Sequence, residues 1–358
     1  MFLTDSDTSI SYDDLVADLN EGRSNHLLCS FVADIIEGRR INLLSYKAQD
    51  APFTKKIASK KDLINRIRNT KSTIAIQTSG TTGKPKEIVH EVSKLLQDTK
   101  QKDKNSVWLY AYNPFHMGGI QVLLQALVNG DSIVYGYKKD RESLLTYIER
   151  HKITHISATP TFYRLLLPFK KEYPTVLRVT VGGESVDSNT LKIIKRMFPA
   201  SKTTNIYALT ETGAVLFSNN EYFKLNDKTK IIEGILFVQN KKDEWYNTGD
   251  VVKRLDEKTF MFSGRRSDII NIGGNNVVPS EIESVLKQND DIQDAVVYHK
   301  NNSLLGNVLM CDISLLNQTT EQNIRDGLAE GGLEDYQIPR IIKFKHRLDI
   351  SDNMKALR

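Results

Sequence analysis

The chain has 358 residues, 40% of them hydrophobic and 26% charged, with a formal net charge of +5. That length allows two domains and a real core, and the composition is that of a soluble globular protein. It carries no basic stripe with interleaved aromatics, which argues against nucleic-acid binding, and no apolar run nears the ~18 residues of a membrane span.

Short apolar, β-branched runs alternate with helical patterns along the chain. Strands are expected at 73–77, 107–112, 132–137, 154–158, 177–181, 204–208, 234–239 and 259–263. Helices are expected from about Val89, at 141–150 and at 188–198, each of the last two with apolar residues on one face. Such alternation predicts an α/β protein with a largely parallel sheet. Near residue 264 the pattern changes to a segment dense in charge, Gly and Asn, as in a linker and hairpin. Ser280 with Glu283, and Thr319 with Gln322, read as capping boxes opening two further helices. Strands follow near 294–299, 307–315 and 340–344. The expected organisation is a large domain, 1–267, and a small α+β domain, 268–358. Cys29 and Cys311 stand far apart in apolar contexts, which fits a reducing compartment and no metal cluster. The N-terminus has no basic segment leading into an apolar one, so the expected location is the cytoplasm.

Residues 78–87 read TSGTTGKPKE. Two glycines let backbone N–H groups approach a ligand, and hydroxyls with ammonium groups supply donors for phosphate oxygens. The stretch therefore reads as a phosphate cradle. It is not a Walker A loop, because Thr78 and Pro85 stand where that motif needs Gly and Ser or Thr.

Further motifs follow in order: FHMGG (115–119), GGE (182–184), YALTET (207–212), YNTGD (246–250), SGRRSD (263–268), NIGGNNVVPSEIE (271–283) and a terminal MKALR. Each alone is weak. Together, from about residue 72 to the end, they closely resemble the adenylate-forming superfamily of acyl- and aryl-CoA synthetases, adenylation domains and firefly luciferase. ISYDDLVADL (10–19) is similar to that family's opening helix segment.

The resemblance implies that a carboxylic acid is joined to AMP with release of pyrophosphate, after which the acyl group meets a thiol. It implies ATP, Mg2+ and CoA. Thr78, Ser79, Gly80, Thr81, Thr82, Gly83 and Lys86 match the pyrophosphate-gripping loop; Thr210 matches the threonine at the α-phosphate, and Glu211 the glutamate that holds Mg2+. Asp250 matches the aspartate on the ribose hydroxyls, and Arg265 an arginine near ribose and phosphate. Gly182, Gly183 and Glu184 resemble the strip beneath adenine, on which Tyr207 would stack. His116 borders the acid's carboxylate and the thiol channel. Tyr112, Gly118, Gly119, Gln121, Ala208, Thr212 and Gly213 complete the implied acid pocket. Lys355 matches the catalytic lysine, Asp268 the hinge of a small mobile domain, and Gly273 with Gly274 the hairpin that follows the thiol.

The sequence departs from the family pattern at Glu87, Ala208 and Met354, each in place of Gly. It also has fewer residues before the phosphate loop than is usual. The short build resembles the compact aryl-acid ligases of the o-succinylbenzoate–CoA ligase type, which serve menaquinone synthesis. The acceptor implied is CoA or a phosphopantetheinyl carrier protein, and a homodimer is compatible with the pattern. A carrier-loading enzyme and a decayed, non-catalytic nucleotide-binding homologue are the competing readings.

Overall fold

A computed structural model describes residues 1–5, 8–21, 26–43, 46, 56–78, 86–97, 99, 105–210, 213–240, 243–302 and 306–357. The chain forms two compact units: Met1–Ser157 with Tyr173–Val179, and Ala158–Glu172 with Thr180–Arg358.

In the first unit, the strands His155–Ala158, Val107–Tyr110, Ser132–Tyr135 and Leu3–Asp5 lie side by side in that order and run parallel, with Thr8–Ile10 antiparallel at the edge. Many of their buried residues are β-branched or aromatic, the types that suit a pleated, covered surface. Phe2, Leu3, Trp108, Tyr110 and Ile133 join Leu15, Phe31, Ile74 and Leu123 in one core. A second sheet pairs Arg40–Asn42 parallel to Thr73–Thr78, and Thr73–Thr78 antiparallel to Lys86–Glu91. The helix expected from Val89 is therefore a strand. Exposed Glu87, Val89 and Glu91 alternate with half-buried Ile88 and His90, a period of two rather than 3.6. Only Val92–Leu95 turns helical.

The second unit holds a five-stranded antiparallel sheet, in the order Tyr222–Lys224, Thr259–Arg265, Trp245–Arg254, Ile235–Gln239, Thr229–Ile232. Leu236, Val238, Val252 and Phe260 pack beneath it with Leu209, Leu216 and Phe223. The fold is thus mixed α/β, with parallel and antiparallel pairings in the first unit and an extensively antiparallel sheet here. Short turns join the four strands from Thr229–Ile232 to Thr259–Arg265 in succession, and no crossover helix is needed between them.

Residues beyond 269 share a core of their own, including Ile270, Val277, Ile282, Val297, Ile313 and Ile324. Around it lie Pro279–Leu286, Glu321–Glu330 and a sheet in which Gly306–Leu315 pairs antiparallel with Ile292–Asn302 and parallel with Ile341–Lys345. Neither expected capping box forms. Pro279 takes the first helical position, where its missing N–H costs nothing, so Val278 becomes the cap. The Ser280 hydroxyl instead donates to the Ser263 carbonyl, and the Glu283 carboxylate accepts from Val297 N at 2.9 Å. The later helix starts one residue further on: Thr320 caps it, accepting from Asn323 N at 3.1 Å, and Gln322 donates to Asp326 at 2.8 Å.

Candidate active site

Asp250 and Arg265 are direct cross-strand partners in the five-stranded sheet. Opposite charges at that spacing pair readily, and Arg265 Nε lies 3.1 Å from Asp250 Oδ1. The Tyr207 hydroxyl donates to the other carboxylate oxygen, Oδ2, at 2.5 Å. Tyr207 reaches it from the strand Lys202–Leu209, whose register against Gly213–Ser218 shifts between Tyr207 and Ala208. A shift of that kind re-aims a side chain. The Tyr207 ring rests on Phe262, with centroids 4.5 Å apart and planes at 28°. Burial pushes the Asp250 carboxyl above the usual carboxylate range, and the pull of Arg265 and Tyr207 does not fully offset it. The Tyr207 phenol is raised as well, by burial and by the adjoining Asp250 carboxylate.

Lys355 belongs to the same group. Burial lowers its ammonium pKa, with Arg265 acting in the same sense and Glu184 and Asp250 opposing it. Its Cε lies 3.7 Å from the point where a Cβ on Gly183 would stand, and Thr159 Cγ2 lies 3.6 Å from that point. Glu184 accepts from Thr161 N at 3.2 Å, at the start of the helix Pro160–Leu165. Met354, standing where the resemblance expects Gly, is buried and left-handed at φ +56°. Such a backbone costs a non-glycine residue roughly 1–2 kcal/mol. It is held from two sides: Met354 N donates to Ser351 O at 2.9 Å, and the Thr159 hydroxyl donates to Met354 O at 2.6 Å.

Beneath this group, Arg164 is 4% exposed and meets two carboxylates. Its Nε lies 3.0 Å from Asp294 Oδ2, off-axis for a hydrogen bond, and its Nη1 lies 3.6 Å from Asp187. Nη1 also donates to the Thr190 hydroxyl at 3.1 Å, and Nη2 donates to that of Thr161 at 3.0 Å. Lys287 stands 3.6 Å from Asp294. Burial alone would raise the Asp294 carboxyl; Arg164 and Lys287 outweigh it and hold it below the usual range. The cluster ties residues 160–190 to residues 287–294, with Gln293 donating to the Arg164 and Leu167 carbonyls and Asn189 to that of Lys287. Sequence reasoning missed Thr159, Arg164 and Asp294. The Thr-Pro pair after a strand was a legible cap signal for Thr159; its bond to a residue 195 positions away was not.

Of the other expected residues here, Thr210 is half-buried and Ala208 exposed. Asp268 ends the short helical turn Arg266–Asp268 and accepts from Ser267 at 2.9 Å. Gly273 and Gly274 form the tip of the hairpin Ile270–Val277, both at positive φ (+56° and +91°), as a two-residue turn of this hand requires.

The first unit holds the other expected group. His116 caps the helix Met117–Asn129 through a long contact, 3.5 Å, from Gly118 N to its Nδ1. The following glycines have a packing reason: a Cβ on Gly119 would sit 2.1 Å from Asn113 O, and one on Gly118 3.3 Å from the Tyr112 ring. Gln121 lies half-buried on the same helix. Thr78 and Lys86 are strand partners. Ser79, Gly80, Thr81, Thr82 and Gly83 between them lie outside the described residues, as do Glu211 and Thr212; Gly213 opens the strand Gly213–Ser218. Glu87 pairs with Arg40 at 2.5 Å on the surface. Among the described residues no group of three His, Cys, Asp or Glu could hold a metal ion, and no helix is long and apolar enough to cross a membrane.

Residues 24–235, more than half of the chain, match the AMP-binding enzyme family, and the chain belongs to it. It is similar to 2-succinylbenzoate–CoA ligase of Listeria monocytogenes, with 28% identity over 323 residues, covering 78% of this chain and 68% of the relative. In structure it resembles o-succinylbenzoate CoA synthetase of Bacillus subtilis in complex with its acyl-adenylate intermediate, at TM-score 0.68 and 19% identity, covering 100% of this chain and 94% of that one. It also resembles the amide bond synthetase McbA of Marinactinospora thermotolerans, at TM-score 0.66 and 14% identity, over 99% of this chain and 95% of that one.

Proposed function

We propose that this chain is an AMP-forming acid–thiol ligase, with ATP, an organic acid and CoA as substrates and an aryl acid of the succinylbenzoate type as the favoured acid. The observation that carries the reading is the grouping of Lys355 with Glu184, Asp250 and Arg265. A carboxylate whose two oxygens already face a hydroxyl and a guanidinium is built to accept from two neighbouring ribose hydroxyls. The curated relatives named as 2-succinylbenzoate–CoA ligases support the acid class.

In the first step a carboxylate oxygen of the acid bonds to the α-phosphorus of ATP, and the bond to the leaving pyrophosphate breaks. Two anions meet, so positioning and charge neutralisation dominate the barrier. Lys355 supplies a poorly solvated positive charge; an incoming carboxylate and phosphate favour its protonated form. Asp250 fixes the ribose, Tyr207 and Gly183 flank the base, and Thr210 faces the α-phosphate. Thr78–Gly83 with Lys86 would grip the pyrophosphate. A divalent ion arriving with ATP would fall to Glu211 and screen the phosphates. In the second step the thiol gives up its proton to solvent, its sulfur bonds to the acyl carbon, and the bond from that carbon to the phosphate oxygen breaks, releasing AMP. Residues 268–358 then act as a cap pivoting at Asp268, which withdraws Lys355 and brings Gly273 and Gly274 to the thiol.

Acid-dependent ATP–pyrophosphate exchange across aryl, succinylaryl, short and medium acids tests this reading. Exchange with one acid class is expected, falling by about 10²–10³-fold in Lys355→Ala and by at least about tenfold in Asp250→Ala. ATP binding without exchange for any acid would instead support a non-catalytic homologue.

A further inference from the structure

Thr159 lies outside every motif that carries the family likeness, yet it is 1% exposed and its hydroxyl has two partners. It accepts from Phe162 N at 3.1 Å, capping the helix Pro160–Leu165, and donates to the Met354 carbonyl at 2.6 Å. A hydroxyl has one proton to give and lone pairs to receive with, so both bonds form together. The capping bond is local and ordinary. The other ties a residue of the chain's middle to the residue just before Lys355.

The segment around Lys355 is a tight loop closed by its own backbone. Ser351 N donates to Lys355 O at 2.8 Å, Leu357 N to Asp349 O at 2.9 Å, and Ile350 bridges Ala356. Its one left-handed residue, Met354, carries a side chain, so the loop's own preference works against the shape it has. An outside bond to the Met354 carbonyl is a direct means of holding that shape. The Thr159 methyl and Lys355 Cε also flank the same side of Gly183, so the residue that anchors the loop also borders the path of the lysine.

We propose that Thr159 is the positioning residue for Lys355. Its hydroxyl pins the Met354 carbonyl, which fixes the left-handed turn and delivers the ammonium beside Gly183, Glu184 and Asp250. The catalytic meaning of that placement rests on the ligase reading; the anchoring itself does not. Thr159→Ser keeps both bonds, and Thr159→Val keeps shape and volume but neither bond. Thr159→Asp keeps an acceptor for Phe162 N and brings no proton for the Met354 carbonyl.

Amide hydrogen exchange is read on peptides covering 349–357 and 160–167 of the full chain, beside ATP–pyrophosphate exchange with 2-succinylbenzoate as probe acid. Thr159→Val and Thr159→Asp are expected to speed exchange of the Ser351, Met354 and Leu357 amides. Thr159→Ser leaves them as in the parent. Should Thr159→Val also open 160–167, Thr159→Asp decides, because its cap is intact. Enzymatic exchange is expected to fall by about 10²-fold in Thr159→Val, with Thr159→Ser restoring it. Unchanged 349–357 amides in both Val and Asp variants overturn the anchor, as does a Ser variant that behaves like Val. Faster amides with undiminished enzymatic exchange overturn the positioning of Lys355. Absence of enzymatic exchange in the parent protein counts against the ligase reading, and the amide data still decide the anchor.

Discussion

Two aspartate–arginine pairs in the second unit behave in opposite ways. Asp294 and Arg164 are both buried, and the carboxyl is held low because Arg164 and Lys287 outweigh the cost of burial. Asp250 is buried too, but its arginine is 53% exposed, and burial wins: the carboxyl is pushed up. The first pair is satisfied by the fold. The second has one partner in solvent and one borrowed from a tyrosine, the condition of a carboxylate kept for something else. Perturbation without full compensation fits the binding role proposed for Asp250.

The largest effect should come from the satisfied cluster. Arg164→Met leaves Asp294 and Asp187 without the guanidinium. Loss of about 3–5 kcal/mol in urea unfolding is expected, and a loss under about 1 kcal/mol would make the cluster incidental. Next is the pH dependence of stability. Asp294 has a lowered folded pKa, so its contribution is present above the unfolded value of about 3.9 and is lost as pH falls through the folded one. Asp250 has a raised folded pKa, so its contribution is greatest below about 3.9 and declines as pH rises through the folded value. Asp294→Asn should therefore flatten the acid limb, whereas Asp250→Asn should remove the decline above it. A like response from both variants would erase the contrast.

Smaller again, Asp250→Asn should hold or raise neutral-pH stability by up to about 1 kcal/mol while depressing acid-dependent exchange. Lys355→Met should act in the same sense. A lysine with a lowered folded pKa costs stability at neutral pH, and that cost fades as pH climbs from the folded value towards about 10.4. Thermal unfolding at pH 7 checks both. Smallest is Arg265→Ala, with under about 1 kcal/mol of stability, because half its side chain stands in water; its mark should fall on nucleotide binding, measured by calorimetry.

Much of the site was legible because its residues sit in short, ordered motifs. YNTGD and SGRRSD lie on consecutive strands, and the register of one hairpin sets Asp250 against Arg265. The two-glycine turn at 273–274 was equally local. What failed was of two kinds. KEIVHE, residues 86–91, has too few residues to separate a helix from a strand until its partner Thr73–Thr78 is present. Ser280 and Glu283 have the spacing of a capping box, but Ser263 and Val297 compete for them from distant parts of the chain. Glycines 118 and 119 were read as lining a pocket; the Asn113 carbonyl and Tyr112 ring also demand them.

The sequence by itself determined the α/β class and the family, and it nominated residues such as Asp250, Arg265 and Lys355, since periodicity and motif order are properties of a line. Tertiary structure alone decided which of those residues share an environment. Only the fold could bring Thr159 to Met354, surround Arg164 with acids from both sides, and leave Asp250 with an exposed arginine, because burial and long-range hydrogen bonds exist only once the chain has closed on itself.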